Sequence, residues 1–76
     1  MTYEQYEVAI ERLGLRIEWG DTFLKVWSDN DHIATVWSDK IGEVLIKNKI
    51  NKLHPKDVSS VRTLTIGLAG TNPKKR

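Results

Sequence analysis

The feature that most constrains this chain is a change of hydrophobic period at Gly14. Before it, Tyr3, Tyr6, Ile10 and Leu13 recur at helical intervals with Ala9 beside them, while Glu4, Glu7 and Glu11 form a second, acidic stripe. After it, Leu15, Ile17 and Trp19 alternate with Arg16 and Glu18, the period-2 pattern of a strand with one apolar face. Thr2 and Gln5 have the spacing of a capping box, and Gly14 suits the position just past a helix end because positive φ costs it nothing. The sequence therefore predicts a helix over residues 2–13 followed directly by β-structure.

The β pattern continues. Gly20-Asp21 reads as a turn, residues 22–28 (TFLKVWS) as a strand, Asp29-Asn30-Asp31 as a second turn and residues 33–38 as the next strand. Asp39-Lys40 and Gly42 mark a bend, and residues 44–50 read as a further strand. The expected sheet is an antiparallel meander of three or four strands. Pro55 and Asp57 then suit a first helical turn, and Val58, Val61, Leu64, Thr65 and Leu68 share one face. Val, Thr, Ser and an internal Gly67 are weak helix formers, so packing against the sheet has to hold this helix. The expected fold class is α+β, αβββ(β)α, with both helices on one sheet face. Residues 1–70 form the single domain, and residues 71–76 read as a basic, flexible tail.

Within the expected hairpin, the tetrapeptide VWSD occurs twice, at 26–29 and 36–39. Val and Trp, being adjacent in a strand, face opposite ways. A three-residue loop is expected to match Val26 with Val36 and Trp27 with Trp37, placing Leu24, Val26, Ala34 and Val36 on one face and Phe23, Trp27, Ile33 and Trp37 on the other. A loop of two or four residues is expected to send the tryptophans to opposite faces. Both faces then carry apolar side chains, and the face away from the helices becomes a candidate protein-binding or homodimer surface built from Phe23, Trp27, Ile33 and Trp37.

Composition narrows the chemistry. The 76 residues suffice for one small domain, and with no cysteine its core has neither disulfides nor thiolate metal sites to assist it. No apolar run approaches a membrane span, and the acidic, amphipathic beginning is unlike a signal peptide, so a soluble, intracellular chain without membrane partners is expected. His32 and His54 lack any metal-ligand spacing, and DNDH at 29–32 lacks the remainder of a calcium loop, so no metal or other cofactor is expected. Nucleophile-elbow, phosphate-loop, dinucleotide and zinc-protease motifs are absent as well, and a non-enzyme is expected.

The charge is uneven. Residues 1–39 carry eight acids against three bases, a net of −5, whereas residues 40–76 carry nine bases against two acids, a net of +7. Lys47 and Lys49 share a face if residues 44–50 are a strand. With Lys52, Lys56, Lys74, Lys75 and Arg76 they make nucleic-acid binding the alternative to protein binding.

Four segments carry a family resemblance: LGLRIE at 13–18, FLKVWSD at 23–29, IATVWS at 33–38 and LTIGLAGTNPKKR at 64–76. In this order they resemble small hypothetical proteins of phages and prophages of low-GC Gram-positive bacteria. Those proteins run from an amphipathic helix through a short meander to a helix ending near Thr-Pro-x-x-x-Arg. Here Asn72 separates Thr71 from Pro73, and Leu68-Ala69-Gly70 lacks the aromatic usual before the motif. The resemblance implies phage ancestry and residence in a bacterial host cytoplasm, and brings no activity with it. The expectation is an accessory protein that binds a protein partner or itself.

Overall fold

The computed structural model describes residues 1–76. The chain runs α1 (Tyr3–Arg12), β1 (Arg16–Trp19), β2 (Phe23–Ser28), β3 (Asp31–Trp37), β4 (Val44–Ile46), a 3₁₀ turn (Asn48–Lys52), α2 (Pro55–Ala69) and a last 3₁₀ turn (Pro73–Lys75). The four strands form one antiparallel sheet in the order β1-β2-β3-β4, which with the two helices gives the α+β fold.

Each helix begins where its capping chemistry allows. The Gln5 amide donates to Thr2 Oγ1 at 3.1 Å and the Thr2 amide donates to Gln5 Oε1 at 2.9 Å, so the capping box closes in both directions. At the far end Gly14 adopts φ +79, which turns the chain from α1 into β1. α2 starts with Pro55 in its first turn, and the Lys56 amide donates to His54 Nδ1 at 3.2 Å.

The sheet's inner face is two rows of apolar residues. Ile17, Val26, Ala34 and Ile46 lie side by side, as do Trp19, Leu24, Val36 and Val44. α1 contributes Tyr6 and Ile10 to the space above them, α2 contributes Val61, Thr65, Leu68 and Ala69, and all are buried. Each fully buried aliphatic side chain of this kind stabilises the fold by about 1.5–3 kcal/mol. The burial of four α2 residues answers its weak intrinsic propensity, and Gly67 lies exposed with open space around it.

The hairpin corrects the expected register. Its loop has two residues, Asp29 and Asn30, with Ser28 opposite Asp31 and Asp29 at φ 51. Antiparallel strands count in opposite directions, so the VWSD copies do not face each other residue for residue: Trp37 lies opposite Phe23, and Trp27 lies opposite His32. Such a loop alone separates the tryptophans. A bulge prevents it, because Val26 pairs with Ala34 and Trp27 with His32, leaving Ile33 unpaired. The extra residue reverses the parity of the rest of β3, so Thr35 and Trp37 rejoin Trp27 on the outer face. Ile33, expected on that face, turns into the core and is fully buried.

Two further expectations change. β4 stops at Ile46 rather than running to Ile50; the chain turns into the 3₁₀ helix, which delivers Ile50 to the core. Residues 71–76, expected as a flexible tail, fold back onto the body. The Arg76 guanidinium donates to four carbonyls: Trp37 at 2.9 Å, Lys40 at 2.8 Å, Ala69 at 2.9 Å and Thr71 at 3.0 Å. The Gly42 amide also donates to the Ala69 carbonyl, at 2.7 Å. These bonds tie the β3–β4 connection to the end of α2.

Candidate functional site

Since α1 and α2 both cover the inner face, the outer face of the sheet is open. Its residues fall into three rows across the strands: Arg16–Trp27–His32 near the hairpin loop, Glu18–Lys25–Thr35–Leu45 in the middle, and Phe23–Trp37 at the far end. Trp27 and Trp37 share the face but sit about 13 Å of strand apart.

The two ends differ in chemistry. At the hairpin end the half-buried Trp27 has three partners. Its indole Nε1 donates to Glu18 Oε1 at 2.9 Å, the Arg16 guanidinium stands 5.1 Å from its ring centroid, and the His32 ring lies 5.2 Å away at a tilt of 35°. Arg16 also donates to the Asp29 carbonyl at 3.2 Å. His32 Nε2 lies 3.0 Å from the Ala34 carbonyl and 2.7 Å from Thr35 Oγ1; a carbonyl only accepts, so this nitrogen carries a proton. Burial lowers the imidazole pKa below its ordinary value, and the Lys47 and Lys25 charges push the same way against the Ala34 carbonyl.

At the other end the Phe23–Trp37 pair is less constrained. Both are half-buried, and the Trp37 indole N–H has no partner within the protein. The Lys25 ammonium stands 5.0 Å from the Phe23 ring centroid. Leu45, diagonal to Trp37 on β4, is 46% exposed although Val44 and Ile46 face the core. Sequence reasoning misses Leu45, yet strand parity marks it: it is an apolar residue at the position in β4 where a solvent-facing sheet calls for a polar one.

No protein-family model matches the chain, and no curated protein and no solved structure matches it.

The basic candidates divide between the stretch from the end of β4 to the first turn of α2 and the last residues 74–76. Lys47 follows the end of β4, and Lys49 lies in the 3₁₀ turn instead of sharing a strand face with it. Lys49 and Lys52 both reach Asp31, with Nζ at 3.2 and 3.3 Å from its two carboxylate oxygens, and these bonds hold the Asp31 carboxyl below the usual carboxylate range. Lys56 stands exposed in the first turn of α2. Lys74 and Lys75 are exposed beyond the opposite end of that helix, about 22 Å away along its axis. Arg76 is occupied by the carbonyls described above. No group of three or more His, Asp or Glu side chains converges on one point, and no helix is long and apolar enough to cross a membrane.

Proposed function

We propose that the chain is a non-catalytic accessory protein that binds a protein partner, or a second copy of itself, through the outer face of its sheet. The observation that carries this reading is the Phe23–Trp37–Leu45 end of that face, where exposed Leu45 stands beside two half-buried aromatic rings and the Trp37 indole N–H has no internal acceptor. Trp is a frequent energetic anchor of interfaces because one ring offers both a large apolar area and a donor. Trp27, by contrast, is already supplied with a cation, an acceptor and a stacking partner, so it contributes shape more than free binding capacity. The phage or prophage setting and the bacterial host cytoplasm are part of the proposal and rest on the sequence resemblance.

The nucleic-acid alternative needs a basic strand edge and a basic tail. Lys49 and Lys52 are paired with Asp31 and Arg76 is spent on carbonyls, which leaves Lys47, Lys56, Lys74 and Lys75 to carry that reading.

Sedimentation velocity on wild type, Trp37→Ala and Leu45→Ser tests self-association, and affinity capture from a bacterial host lysate, with and without nuclease, tests a partner. The expected result is an assembly that resists nuclease and is weakened by both substitutions. Wild-type association in both variants would remove the proposal, and capture abolished by nuclease would favour the alternative.

A further inference from the structure

A groove of about 230 Å3 opens beside this face, between the start of α1, the β1–β2 turn and the end of β3. Three of the six aromatic residues of the chain line it: Tyr3, Trp19 and Phe23. Tyr3 and Trp19 meet edge to face, with centroids 5.6 Å apart and planes at 84°, so they form two walls at right angles. Trp19 is 48% exposed, which is high for a tryptophan on the inner side of a sheet, and its Nε1 donates to Glu7 Oε2 at 3.2 Å. The Phe23 ring lies across Gly20, so close that a Cβ there would come within 2.5 Å of it; only glycine at position 20 lets the ring take this place.

The polar lining points to the class of ligand. Asp21 lines the groove and its carboxylate makes no hydrogen bond or ion pair within the protein. No Lys or Arg lines it; the nearest cations are Lys25, against the Phe23 ring, and Arg76, bonded to the Trp37 carbonyl next to Ser38. Aromatic ring faces attract cations through their quadrupole, most strongly where the cation is weakly hydrated, as an alkylated ammonium is. The Phe23 ring already attracts an internal ammonium, that of Lys25 at 5.0 Å. A volume of 230 Å3 falls below the roughly 300 Å3 at which pockets for drug-sized ligands begin, which suits a group of a few heavy atoms.

We propose that this groove binds an alkylated ammonium group, with Tyr3, Trp19 and Phe23 supplying ring faces and Asp21 the counter-charge. The site shares Phe23 with the sheet-face reading, but neither Trp27, Trp37 nor Leu45 lines it, so Trp37→Ala and Leu45→Ser leave its lining intact.

The test is a two-dimensional NMR titration of the indole N–H signals with choline, with its neutral carbon isostere dimethylbutanol, and with a trimethyllysine peptide. The Trp19 signal should shift saturably with choline while the signals of Trp27 and Trp37 stay in place, and the neutral isostere should produce no saturable shift. Asp21→Asn, at an exposed position, should weaken choline binding about threefold or more, and Trp19→Leu, followed by the backbone amide signals of Gly20 and Phe23, should abolish it. Saturation by the peptide at lower concentration than choline identifies a protein side chain as the source of the cation, and the reverse order identifies a small headgroup. A shift that stays linear in choline, an equal response to the isostere, or Asp21→Asn binding as wild type overturns the proposal.

Discussion

The Tyr6 hydroxyl lies 2.8 Å from Thr65 Oγ1 in a buried hydrogen bond that joins α1 to α2 across 59 residues of sequence. Neither side chain is exposed at all, so each hydroxyl depends on the other for compensation. Removing one partner leaves the other desolvated, whereas removing both leaves only apolar contact. Tyr6→Phe and Thr65→Val should each cost about 1–3 kcal/mol in urea unfolding, and the double variant should cost clearly less than the two together. Additive costs would show that the hydroxyls are satisfied separately.

The same bond has an alkaline signature. Burial pushes the Tyr6 pKa up from 10.0 to about 12, and the Thr65 hydrogen bond offsets only part of that rise. The unfolded chain therefore releases this proton first as pH increases. The contribution of Tyr6 is fully present below pH 10 and is lost as pH rises toward 12, by about 2–3 kcal/mol in all. Unfolding free energies measured between pH 9 and pH 12 should fall less steeply in Tyr6→Phe than in wild type, and equal slopes would contradict the assignment.

Arg76 closes the β3–β4 connection onto the end of α2 by forking to four carbonyls that come from different directions. A lysine ammonium lacks that planar fork. Arg76→Ala should lower stability by about 2 kcal/mol, and Arg76→Lys should restore less than half of the loss. Hydrogen exchange gives an independent reading, because the Gly42 amide bonded to Ala69 belongs to the same junction and should lose protection in both variants.

The elements legible in the sequence are those whose signal is local. The Thr2–Gln5 box, the period change at Gly14 and the apolar face from Val58 to Leu68 each lie within one element, and the structure keeps them. The face assignments that failed depend on distant partners. Ile33 fits either face of a regular strand; the core's demand for its side chain and the bond from the Lys47 amide to its carbonyl, at 2.9 Å, accompany the bulge. Extending β4 to Ile50 ignores Asn48, which strand parity would point into the core. Arg76 bonds across 36 and 39 residues to Lys40 and Trp37, and no sequence spacing announces such contacts. At the candidate site, Trp37 and Phe23 are legible from composition, but the enclosure of Trp27 is not, because it needs the register that sets Arg16 and His32 beside it.

The bulge makes a direct prediction about Ile33. As a core residue, Ile33→Ala should cost about 2–5 kcal/mol, which for a domain of this size approaches its whole stability. As a surface residue it would cost almost nothing. A thermal melt therefore separates the two placements, and an Ile33→Val control, which keeps most of the volume, should lose about 1 kcal/mol and remain folded.

His32 gives the hairpin end a response to mild acid. Its ring faces Trp27, the Ala34 carbonyl and Thr35 on its own sheet, with Glu18 on β1, Lys25 on β2 and Lys47 beyond β4 contributing charge. Because burial lowers its folded pKa beneath the ordinary 6.5, the unfolded chain takes up this proton first as pH falls. The stability it contributes is complete above pH 6.5 and declines below it, through the depressed folded value. Asp31 acts in a separate window: its carboxyl, lowered by Lys49 and then Lys52, loses its contribution only as pH falls below 3.8. Urea midpoints measured from pH 7.5 to pH 4.5 should therefore decline in wild type, and the decline should be shallower in His32→Phe, which keeps a ring against Trp27 but cannot titrate. An NMR titration of the imidazole supplies the second check, and a His32 midpoint above 6.5 would reverse the sign of the effect.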